Sequence, residues 1–122
     1  MKIHIALGAI IFLASSTALA CDYPDRPHIP DGSTATKEEL LTAKNSVQTF
    51  FEGVDEYLRC IETKEKTAVA ALKNPSEEDI NKRDAEMNRT FDAANGEKAV
   101  VGELLNKQIR AYNAKRKQES AD

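Results

Sequence analysis

Two cysteines, two histidines (His4 near the N-terminus and His28 in a proline-rich stretch) and a scatter of carboxylates are the residues of this 122-residue chain with the means to bridge, ligate or catalyse. Cys21 and Cys60 are the only cysteines, and His28 sits between Pro27 and Ile29. A zinc site needs about four ligands of the His/Cys type, and a c-type haem needs Cys-x-x-Cys-His. Neither set is present. No serine stands in a Gly-x-Ser-x-Gly context and no glycine-rich phosphate loop occurs. The sequence therefore points to no catalytic residue, no metal site and no cofactor. The acids Glu38, Glu39, Glu52, Asp55 and Glu56, with Asp84 and Glu86 further on, have two readings. Paired carboxylates do general acid–base work or hold divalent cations. Alternatively they are a solvated helix face with partners four residues away, Asp55 with Arg59 and Glu62 with Lys66. The second reading is preferred, and a carboxylate-based cation binder is kept as an alternative. Asn88-Arg89-Thr90 is a glycosylation sequon on a helical stretch and is read as chance.

The chemistry of the cysteines depends on where the chain goes. Lys2 is followed by an apolar run from Ile5 to Leu13, then by Ala18-Leu19-Ala20, which has small residues where a signal peptidase inspects the chain. Residues 1–20 are expected to be a signal peptide cleaved after Ala20. The apolar run is too short for a spanning helix, which takes about 20 residues. No second run follows, so no membrane span is expected. Cleavage removes one base and no acid and takes the net charge from −3 to −4, which argues against a nucleic-acid partner. An even cysteine count in an exported protein points to a disulfide between Cys21 and Cys60. Cys21 would also be the first mature residue, the place where bacterial lipoproteins are acylated. Ala18 and Leu19 stand in the reverse of the usual lipobox order. The two fates exclude each other, because a Cys21 thioether cannot pair with Cys60.

These residues need elements to hold them. Residues 21–36 read as an extended arm, since Pro24, Pro27 and Pro30 forbid a helix and Asp31-Gly32 supplies a turn. Thr36-Lys37-Glu38-Glu39 is a capping box. A first helix is expected from about 37 to 73, with Leu40, Ala43, Val47, Phe50, Val54, Tyr57 and Ile61 at helical spacing. Asn74 as N-cap and Pro75 as first helical residue then open a second helix, about 75–117, with a short tail at 119–122. Its seam runs Ile80, Met87, Phe91, Ala94, Val101, Leu105 and Tyr112, interrupted by Asp84, Lys98 and Gln108. Asn95-Gly96 either breaks this helix or is tolerated within it; the seam keeps its phase across the pair, which favours one helix. The result is an all-α fold, an antiparallel hairpin of two long helices over 37–118 with an extended N-terminal arm tied by one disulfide. The arm can span about 50 Å and the helix rises about 36 Å between Thr36 and Cys60, so the arm can run back along the hairpin.

Phe50-Phe51 and Tyr57-Leu58 have two readings as well. They are core and disulfide packing, or they are contact residues for a partner, because two helices cannot bury both flanks of a broad apolar stripe. With no catalytic constellation in view, the expected function is a non-enzymatic interaction protein, binding an unknown protein partner or itself. A lipid-anchored helical spacer held through Cys21 is the second alternative.

Cys21, Pro24, Pro27, Ile29-Pro30-Asp31-Gly32, Ala35-Thr36, Glu39-Leu40, Ala43 and Tyr57-Leu58-Arg59-Cys60 together resemble a group of small uncharacterised exported proteins of Gram-negative bacteria. The likeness covers about residues 21–61 and fades after Lys73. It implies a periplasmic location and a paired Cys21 and Cys60. It carries no activity and no catalytic residue across.

Overall fold

A computed structural model describes residues 20–122; the expected signal peptide, apart from Ala20, lies outside the described residues. Two helices account for most of them, α1 (Lys37–Ala70) and α2 (Glu77–Glu119), and there is no strand among the described residues.

The start of α1 follows from Thr36. Its backbone is extended, its hydroxyl accepts from the Glu39 amide at 3.2 Å, and the Glu39 carboxylate accepts from the Thr36 amide at 2.7 Å. The two hydrogen bonds satisfy donors that a helix start leaves without partners. The Thr36 amide and hydroxyl hold the Glu39 carboxyl below its ordinary range. A carboxyl lowered in the folded state stabilises above its unfolded pKa and loses that contribution as pH falls through the folded value. Acidification is therefore expected to lower the melting temperature less in Glu39→Gln than in the wild type between about pH 5 and 3, a comparison made by circular dichroism.

The turn between the helices departs from expectation. α1 stops at Ala70 instead of about Lys73, and α2 starts at Glu77 with Ser76, not Asn74, as its N-cap. Asn74 has φ 49°, a left-handed conformation that reverses the chain and that Asn tolerates better than most residues. A residue so used cannot adopt the extended backbone of an N-cap, and Pro75 falls outside the helix. Ser76 then accepts from the Asp79 amide at 3.1 Å, and its hydroxyl donates to the Asp79 carboxylate at 2.7 Å.

Helix α2 runs unbroken through Asn95-Gly96. Nothing lies within 4 Å of where a Gly96 side chain would begin. Gly96 thus carries only the entropic cost of glycine in a helix, and Gly96→Ala is expected to stabilise by about 1 kcal/mol in urea denaturation.

The helices are antiparallel. Lys98 Nζ meets Asp55 Oδ1 at 2.7 Å and Arg83 meets Glu65 at 2.8 Å, so the pairing holds from mid-hairpin towards the tip. Asp55 thus bonds across the hairpin and not to Arg59, whereas Glu62–Lys66 forms as expected, at 2.9 Å. The core comprises Ala43, Val47, Phe50, Val54 and Leu58 of α1 with Ala94, Val101 and Leu105 of α2. All of it lies between the open ends of the hairpin and the level of Cys60. Beyond that level the side chains of both helices are at most half-buried.

The arm explains this asymmetry. Cys21 is bonded to Cys60, with the Cα atoms 5.7 Å apart. From there the arm runs back towards Thr36. Tyr23 packs edge-on against Tyr57 and Phe50, Pro24 rests on Gly53, Arg26 pairs with Glu97 at 3.1 Å, and Ile29 packs against the core. At the turn, the Asp31 carboxylate accepts from the Ser33 amide at 2.9 Å and the Ala35 amide donates to the Asp31 carbonyl at 2.8 Å. Gly32 is buried, and its amide donates to Gln108 Oε1 at 2.8 Å. A Cβ at this position would land on the Gln108 carbonyl and come within 3.0 Å of the Tyr112 amide nitrogen. Gly32 is needed for close approach, not for its backbone freedom. Gly32→Ala must lift the turn off α2 and is expected to destabilise by about 2 kcal/mol in chemical denaturation.

Candidate interaction surface

The disulfide divides the hairpin into a strapped half and an open half. In the strapped half, the arm fills the groove between the helices. Tyr23 and Tyr57 close it at the Cys60 end with ring centroids 5.0 Å apart. Burial, then the neighbouring Glu97 carboxylate, then Tyr57 push the Tyr23 hydroxyl above the usual tyrosine range.

The groove continues past this point with no arm in it. One wall is Tyr57, Ile61 and Ala68 of α1, with Leu72 just past its end; the other includes Met87 and Thr90 of α2. These positions are spaced by three, four or seven residues, so they share one face of each helix. From Tyr57 to Ala68 the groove is about 16 Å long. Leu72 keeps 37% of its surface exposed. Charged residues stand among the apolar ones: Lys64 and Glu65 on α1, and Asp79, Lys82, Arg83 and Glu86 on α2. The hydrogen bond and charge of Glu65 raise the pKa of Arg83 and fix its guanidinium across the groove. Arg83 takes the seam position that the sequence assigned to Asp84, which is exposed.

The four aromatic and aliphatic residues proposed as contacts divide between core and groove. Phe50 and Leu58 are 3% and 6% exposed, so they are core residues. Phe51 is half-buried beside Gly102, with Lys98 Nζ 5.5 Å from its ring centroid. Tyr57 alone of the four lines the open groove. Ile61, Ala68, Leu72 and Met87, the rest of its apolar wall, belong to the apolar stripes read from sequence but were not expected as contact residues. The signal was present in the helical period beyond Cys60, where the stripe continues as alanine and charge. Of the other exposed large side chains, Tyr23 is on the arm, and Leu41, Val100 and Leu104 lie outside this groove on single helices, as scattered apolar residues commonly do.

The remaining candidates are accounted for by structure. Glu52 accepts from Gln48 at 3.1 Å, Asp55 binds Lys98, Glu39 serves in the cap, and Glu38, Glu56, Asp84 and Glu86 are exposed. His28 is exposed on the arm. Among the described residues no three His, Cys, Asp or Glu side chains are grouped to hold a metal ion. No described helix is long and apolar enough to cross a membrane. The Cys21–Cys60 bond occupies the sulfur that lipid attachment would need. The class this geometry defines is a strapped helical hairpin, closed along half its length and open along the rest. No protein-family model, curated protein or solved structure matches the chain.

Proposed function

We propose that the protein is a non-enzymatic interaction protein of the bacterial periplasm, with a chaperone-like, inhibitory or structural role. The strapped half is the scaffold and the open half is the contact face. The observation that carries this reading is the set of half-buried apolar side chains Tyr57, Ile61 and Ala68, with exposed Leu72 beyond them, facing Met87 in direct continuation of the groove the arm fills. Where the arm is present the groove is sealed; where it ends the same surface is left for another molecule. Apolar side chains interleaved with charges make a surface that another protein can cover. Export fits the signal-like N-terminus and the disulfide, which persists in oxidising compartments. The resemblance of residues 21–61 to exported proteins of Gram-negative bacteria points to the same place.

The test is crosslinking in cells from a photoreactive amino acid at Ala68. The expected product is a discrete adduct, either with another protein or with a second copy. Failure to form any adduct from Ala68 or from Met87 would remove the basis of this reading.

A further inference from the structure

We propose that the open groove is the interface of a symmetric homodimer, the open halves of two hairpins packing groove to groove and antiparallel as a four-helix bundle. The proposal rests on the groove being a contact face and names its occupant.

A two-fold interface uses the same patch twice, so that patch must complement itself. Where a helix crosses its own copy antiparallel, residues face each other when they lie equally far from the axis. On α1, an axis between Lys64 and Glu65 sets Lys64 against Glu65 of the second copy and Ile61 against Ala68. On α2, an axis between Asp84 and Ala85 sets Arg83 against Glu86 of the second copy, and lays the stem of Lys82 along Met87. One axis serves both helices, because the Arg83–Glu65 ion pair at 2.8 Å holds the two midpoints at the same height of the hairpin. Lys64 and Arg83 therefore meet opposite charges, and Ile61 meets Ala68.

The network this makes is continuous. Within one chain Glu65 and Arg83 already pair across the groove. The second copy adds Lys64 beside Glu65 and Glu86 beside Arg83, giving an alternating row of four charges that the two-fold axis repeats. The groove carries three bases, Lys64, Lys82 and Arg83, and three acids, Glu65, Asp79 and Glu86. A surface balanced in this way offers no net attraction to a strongly acidic or basic partner but suits its own inverted copy. Four helices so arranged also match the coiled-coil-like packing of antiparallel bundles.

The experiment is sedimentation velocity on the mature, disulfide-bonded protein over a concentration series. A dimer is expected. Ala68→Glu, which puts a carboxylate against Ile61 of the second copy, should leave only monomer. Lys64→Glu replaces two opposite-charge contacts by two like-charge ones and should weaken association about tenfold. Both positions lie on the groove wall outside the buried core, so circular dichroism should show unchanged helix content. A monomer throughout the series, or a dimer indifferent to both substitutions, overturns the proposal. If the protein is monomeric yet crosslinks from Ala68 to a different protein, the dimer is wrong and the interaction reading stands; if neither occurs, both fall.

Discussion

Removing the Cys21–Cys60 bond, by reduction or by a Cys21→Ser/Cys60→Ser double variant, is expected to lower the unfolding free energy by about 4 kcal/mol. The two cysteines are 39 residues apart, and closing a loop of that length restricts the unfolded chain accordingly. Most of the loop is α1, whose capping box and apolar stripe form without the bond. The arm is different. It belongs to neither helix, and its backbone has few hydrogen bonds to the rest of the protein, the Gly32 amide to Gln108 among them. Without the bond, Tyr23 and Pro24 lose their anchor at the Cys60 end, and Val54 and Leu58 lose cover. For a domain of about 100 residues a loss of this size lowers the melting temperature by on the order of 20 °C. Melts with and without reductant, at one protein concentration so that association does not contribute, measure it. A shift of only a few degrees would mean that the arm's own contacts hold it and the bond is incidental.

Phe50→Ala is expected to cost about 4 kcal/mol, the upper part of the range for a buried aromatic. Phe50 is 3% exposed and belongs to the central cluster, with the Tyr23 ring 6.3 Å away on the arm and the Phe51 ring 6.2 Å away on its own helix. Truncation leaves a cavity where arm, α1 and core meet, and backbone pinned at Cys60 and Gly32 cannot collapse to fill it. Phe50→Leu should recover more than half of the loss. Urea denaturation of the two variants checks both values. The comparison also separates the two readings of the aromatic pair. A contact residue would leave stability unchanged and weaken association; a core residue does the reverse. Little change in the denaturation midpoint of Phe50→Ala would return Phe50 to the contact surface.

Local signals in the sequence translated well where they were self-contained. Thr36 and Glu39 form their cap with atoms three residues apart, so nothing distant could interfere. The helical period of Leu40 to Leu58 survives for the same reason, and the reach of a 16-residue arm is a matter of chain geometry. The turn at 71–76 was harder because Asn74 and Ser76 are both good caps. Only the need to reverse direction, met by Asn74 at φ 49°, decides between them. Asp55 shows a second kind of difficulty. Arg59 lies four residues away, but Lys98 lies across the hairpin, and the register that brings it to 2.7 Å is set by the packing of both helices. Lys98 and Gln108 looked like faults in the α2 seam. Each answers a group on another element, Asp55 in one case and the Gly32 amide in the other. The open groove was the least legible part. Its wall is made of residues such as Ala68 and Met87, whose role is visible only once the arm is seen to stop at Cys60.

The central claim is that Cys21 straps the arm to α1, sealing one half of the hairpin and leaving the other as a contact face. The most direct measurement is the intact mass of the protein recovered from the periplasm of an expressing Gram-negative bacterium, before and after reduction and alkylation. The account predicts an unmodified chain beginning at Cys21 that takes up alkyl groups at two sites, and only after reduction. A mass carrying acyl chains, with Cys60 alkylated without reduction, would contradict it.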